Sequence, residues 1–126
     1  MPNDILERNR VVDAGGVRIN NNAITAIAAQ AALEIRGVSK MGGGFGRTLL
    51  EFLRSGRALR GVRVKMRDGA LKLVVYVVVE YGVNIPKVAD EVQDNVKRIL
   101  EKMTGLMISE VEVVIENVIT PGSNGR

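Results

Sequence analysis

Apolar and polar positions alternate over VRVKMR, residues 62–67, and the alternation resumes over ALKLVVYVVVEY, residues 70–81. A period of two marks a half-buried strand. Between the two runs stands Asp68-Gly69, a pair suited to a two-residue hairpin loop, which needs positive φ at both central positions. Such a loop pairs 66 with 71, 64 with 73 and 62 with 75, so Met meets Leu, Val meets Leu and Val meets Val. The core-facing sides of the two strands agree. The period then changes. Val88, Ala89, Val92, Val96, Ile99, Leu100 and Met103 recur at i, i+3/i+4 and predict a helix over about 86–103, ended by Gly105. An earlier stripe of Ile24, Ile27, Ala28, Ala31 and Ile35 follows asparagines suited to N-capping and predicts a first helix over about 22–36. The run MISEVEVVIENVI, residues 107–119, alternates again, with Val111, Val113 and Ile115 facing one way and Glu110, Glu112 and Glu116 the other. GGVRI reads as a short strand, and Val11-Val12 as another inside a loose lead-in.

Residues 38–61 carry no sustained period. VSKMGGGFGR is glycine-rich, and RTLLEFLR, residues 47–54, predicts a two-turn helix. The expected order is β-α-(short α)-β-β-α-β. This is an α+β, two-layer sandwich with two long helices on one face of a mixed sheet of about four strands. The expected organisation is a flexible lead-in over 1–15, a single domain over 16–119 with a Gly/Arg-rich variable segment over 42–60, and a disordered tail over 120–126.

One strand departs from the half-buried pattern. Leu71, Leu73, Val75, Val77 and Val79 serve the core, yet Val74, Tyr76 and Val78 fall on the face that should meet water. A central strand with a covered back explains this, and so does a self-association or partner surface. Arg63, Lys65 and Arg67 share that face, and Lys65 falls opposite Lys72, an unfavourable pair without an acidic group nearby. The candidate partner surface is therefore Arg63, Lys65, Val74, Tyr76 and Val78.

Composition narrows the chemistry. The chain of 126 residues has no cysteine and no histidine, which excludes disulfides, thiolate nucleophiles and the usual zinc ligand sets. No catalytic constellation emerges, and the expectation is a non-enzyme with no cofactor, no metal and no small-molecule substrate. Charge is divided along the chain. Residues 37–67 hold eight basic groups against Glu51 alone, whereas residues 68–126 hold six basic and nine acidic groups. A basic middle suits an anionic partner, nucleic acid or anionic lipid, through Arg47, Arg54, Arg57 and Arg60. It equally suits the acidic end of a second copy. The GxxG of Gly43-Gly44-Phe45-Gly46, flanked by arginines, resembles the loop of a KH RNA-binding module, although its variable pair holds no basic residue. The strongest apolar run, residues 73–79, is too short to span a bilayer as a helix, and the charged start does not read as a secretory signal.

The junction EYGVNIP joins strand to helix. Gly82 suits a sharp exit, Asn84 a helix cap, and Pro86 the first helical turn. These residue types describe a structural corner. The longer run VEYGVNIPKVADEVQDNVK, with strand, corner and helix in register, resembles the alkaline shock proteins, the bacterial envelope stress response domain. NAITAIAAQAALEIRGVSKM and the hairpin region resemble the same family, over about Gly16 to Val118. The resemblance implies a small non-enzymatic cytoplasmic protein, peripheral to the cell membrane through a separate membrane-anchor protein, and prone to form homo-oligomers.

Overall fold

The Asp68-Gly69 turn has φ of 51° and 80° at its two central positions, so both residues take the positive φ a two-residue hairpin loop needs. The structure, a computed structural model, describes residues 11–14, 16–42 and 61–120. In chain order these form β1 (Val11–Ala14), β2 (Val17–Asn20), α1 (Asn21–Leu33), β3 (Val38–Met41), β4 (Val62–Arg67), β5 (Ala70–Glu80), α2 (Ile85–Thr104) and β6 (Ile108–Ile119). β4 pairs antiparallel with β5 in the register that the alternation predicts, Val62 with Val75, Val64 with Leu73 and Met66 with Leu71.

β5 is the middle of the main sheet. β6 lies parallel along one edge, from Leu71 beside Ile108 to Glu80 beside Ile119. A parallel neighbour requires a crossover connection, and α2 supplies it. The ladder is irregular near Ser109 and Glu116, where β6 carries an extra residue. The other edge is shared. β4 covers the first half of β5, and β3 covers the second, with Val38 beside Val79 and Met41 beside Val77. The two covering strands meet at Tyr76, whose N–H donates to the Gly61 carbonyl and whose carbonyl accepts from the Gly42 N–H, both at 2.7 Å. The approach is so close that a Cβ on Gly61 (φ 63°) would stand 2.7 Å from the Gly42 oxygen. β1 and β2 form a separate two-stranded sheet.

β3 corrects the expectation that VSKM belongs to an irregular segment. The strand is four residues long and its register shifts between Val38 and Lys40, so it presents no alternation to detect. It also separates α1 from the GxxG, which the KH resemblance places between helices. α1 stops at Leu33 rather than near 36, because Ile35 N–H turns back to the Ala32 carbonyl in a tighter turn. Residues 43–60, with the expected helix over 47–54, the GxxG and Arg47, Arg54, Arg57 and Arg60, lie outside the described residues.

Both helices cover one face of the sheet. Ile24, Ala28 and Ala32 from α1 and Val88, Val92, Val96 and Leu100 from α2 close over Leu71, Leu73, Val75, Val77 and Val79. Fully burying one such aliphatic side chain is worth about 1.5–3 kcal/mol, and the alanines let α1 sit close to its neighbours. A polar contact joins the helices: the buried Asn95 amide donates to the Ala31 carbonyl at 2.8 Å and to Glu34 Oε1 at 3.0 Å. The corner preceding α2 behaves as its residue types dictate. Gly82 has φ of 101°, Pro86 lies in the first turn, and Asn84 Oδ1 accepts from the Lys87 N–H at 3.1 Å.

Candidate interaction surface

The sheet face opposite the helices collects the residues that alternation places there. Register aligns them in rows across the strands. Arg63, Val74 and Glu112 stand level, and the next outer-face row is Lys65, Lys72 and Glu110. The like-charge pair of Lys65 and Lys72 is relieved from the far side: Lys72 Nζ lies 3.6 Å from Glu110 Oε1 and 3.8 Å from Glu112 Oε1. Two carboxylates thus share one ammonium in a solvated setting, where each contact is worth at most about 1 kcal/mol. Arg63, Lys65 and Arg67 are exposed along β4, and Glu110 and Glu112 along β6. The outer face is basic at one edge and acidic at the other.

Of the two explanations for the apolar residues of this face, their burial agrees with a central strand whose back is covered. Val74 is 8% exposed and Val78 is 2% exposed, so neither meets water in the single chain. Both sit on the middle strand, with the long side chains Arg63 and Glu112 level with Val74, and Lys40 and Asn117 level with Val78. Tyr76 between them is half-buried. Val74, Tyr76 and Val78 thus run along the middle of the face, between its basic and acidic edges. Val114 joins the same face beside Tyr76. Glu116 is the extra residue at the second irregularity of β6, and its carboxylate reaches across the outer face to Gly42, beside Tyr76.

Each edge of the sheet has an outer side that pairs with no other strand among the described residues. The β6 edge has a guard: Gln93 Nε2 from α2 donates to the Val111 carbonyl at 3.1 Å. Sequence reasoning missed Gln93, because nothing in the periodicity of α2 says which strand edge its flank will touch. On the far side of the helix layer, Ile27 and Ala31 of α1 and Ile99 and Met103 of α2 line an open groove of about 330 Å³. Among the described residues no group of three or more carboxylates is placed to hold a metal ion. None of the described helices is long and apolar enough to cross a membrane.

Known proteins resemble this chain in sequence and in architecture. Protein YqhY of Bacillus subtilis (strain 168) is 38% identical over 104 residues, covering 82% of this chain and 77% of that protein. Protein Spy1614 of Streptococcus pyogenes serotype M6 is 31% identical over 112 residues, covering 87% of this chain and 93% of that protein. Among solved structures, a copper form of the MamM CTD superposes with a TM-score of 0.50 at 13% identity, covering 83% of this chain and 92% of that one. At that identity the likeness concerns the fold alone. Residues 9–120 match the model of the alkaline shock protein family, which is described as having a "cell envelope-related function". It is the family that the strand–corner–helix run resembles, and the chain belongs to it.

Proposed function

We propose that the protein is a non-enzymatic adaptor or scaffold of the cell envelope that acts by self-association and by binding a membrane-anchor protein. The observation that carries this reading is the divided outer face, basic along β4 and acidic along β6, with Tyr76 half-buried between them. Opposite charges at opposite edges of one face attract a second copy and disfavour an off-register one. The candidate surface comprises Arg63 and Lys65 for charge and Tyr76 for apolar contact, flanked by Val74 and Val78. The anchor partner is motivated by the family's envelope-related role, and would hold a cytoplasmic protein peripherally at the membrane.

Light scattering over a range of concentrations tests self-association. The expected result is a mass that rises with concentration and falls when Tyr76→Asp places a carboxylate among the valines. A monomer at every concentration, with Tyr76→Asp unchanged, overturns the reading. Affinity capture from detergent-solubilised membranes and from cytosol tests the anchor, and the expected partner appears in the membrane fraction.

A further inference from the structure

We infer that copies of this chain join edge to edge, β6 of one against β4 of the next, so that the main sheet continues from molecule to molecule. The inference rests on the self-association proposed above and names its interface.

The backbone comes first. Tyr76 directs its N–H and C=O to the β3/β4 edge, whereas the Leu71 N–H goes to the Met107 carbonyl on the β6 side. Even positions of β5 therefore serve β4, and odd positions serve β6. In a parallel pair, the residue level with a bonding position turns its own groups away from that partner. On β6 these are Val111, Val113 and Ile115, and the Gln93 bond to the Val111 carbonyl agrees with that outward direction. On β4 the corresponding outward positions are Val62, Val64 and Met66, level with odd positions of β5.

Direction comes next. β4 is antiparallel to β5, and β6 is parallel to it. Shifting a copy sideways within the sheet brings β6 antiparallel to the β4 of its neighbour. Val113 then stands level with Val62 of the next copy, and Val111 with Val64, each with outward groups facing outward groups. All four side chains lie on the helix-covered face, so the two faces of the joined sheet stay consistent.

Charge is the third match. The same shift sets Glu112 beside Arg63 of the next copy and Glu110 beside Lys65 of the next copy. Each pair is directly cross-strand on the outer face, the arrangement in which opposite charges stabilise a sheet. The rows then repeat as basic, central, acidic through every molecule. Because the contact joins two different edges, it does not close on a pair, and the natural twist of the sheet turns the stack into a screw. Gln93 is the group a neighbour displaces when it pairs at Val111.

Cysteine cross-linking tests the register in a chain that has no cysteine of its own. Arg63→Cys and Glu112→Cys, on separate copies, come to about 4.5 Å between Cα atoms, the spacing of a non-hydrogen-bonded antiparallel pair, which a disulfide spans. Arg67→Cys lies four residues along the strand, about 13 Å from the same target. The expected result is a mixed disulfide for the 63/112 combination and none for 67/112. A protein that still associates but yields no 63/112 disulfide overturns edge pairing and leaves self-association standing. A predominant 63/63 or 112/112 disulfide also overturns it, since it signals a symmetric pair. A protein that stays monomeric overturns both. Charge exchange gives a second readout. Arg63→Glu with Lys65→Glu, and separately Glu110→Lys with Glu112→Lys, are each expected to associate about tenfold more weakly because like charges face each other. An equimolar mixture restores association, because each variant's altered edges complement the other's. Failure of the mixture to do so counts against the interface.

Discussion

Asn95 shows how a single polar group orders two helices. It lies at the helix-core boundary, seven residues beyond Val88 and three beyond Val92, inside the apolar stripe of α2. Its amide reaches the end of α1 through Ala31 and Glu34, while its Oδ1 accepts from Arg98. Asn95→Ala removes a buried donor and strands the Arg98 contact, so a loss of about 1–3 kcal/mol is expected, read as a lower midpoint in urea unfolding. Asn95→Asp is expected to be worse, because it replaces the donating amide with a carboxylate facing Glu34. The stripe spacing signals that residue 95 is inward-facing. What the spacing does not carry is the partner, which depends on where the end of α1 arrives.

At the scale of elements, the hairpin, both long helices and β6 follow from periodicity, turn chemistry and capping residues, because each is a local rule. β3 does not. It is short, bulged and held by β5, a strand far along the chain, so its identity is a consequence of packing. The outer face of β5 is legible as an anomaly, but its resolution is not. Only the folded chain shows that Val74 and Val78 are buried while Arg63, Lys65, Glu110 and Glu112 remain exposed. The β6 edge illustrates how such strands are kept from pairing indiscriminately: a side-chain amide occupies an outward carbonyl. Gln93→Ala removes that guard at the rim of α2. If β6 pairs with a second copy, the concentration needed for association falls by about threefold, the size expected for one competing hydrogen bond near 0.6 kcal/mol. Sedimentation velocity over a dilution series reads this shift, and an unchanged profile shows that Gln93 does not compete with assembly.

For the molecule as a whole, the asymmetry between its two edges matters more than the net charge of +4. Ionic strength is the matching control: salt screens exposed charges over about 8–10 Å under ordinary conditions, so association through the divided face weakens as salt rises. A different consequence follows from the meeting at Tyr76. In an antiparallel sheet a bonded residue offers its partner both its N–H and its carbonyl. Opposite Tyr76 those two offers come from separate residues, the N–H from Gly42 and the carbonyl from Gly61. The pair together occupies one strand position, between Met41 beside Val77 and Val62 beside Val75. The chain can therefore be spliced. Joining Gly42 directly to Val62, with residues 43–61 excised, lets one residue make both bonds and turns β3 and β4 into a single uninterrupted strand. The spliced protein is expected to fold to the same core and to unfold at an equal or higher temperature, since bringing β3 and β4 together across the excised residues no longer costs entropy. Calorimetry and circular dichroism decide that. The splice also removes Arg47, Arg54, Arg57 and Arg60 while keeping every residue of β4 and β6, so a comparison of intact and spliced protein for RNA binding and for self-association separates a grafted function from one that belongs to the scaffold.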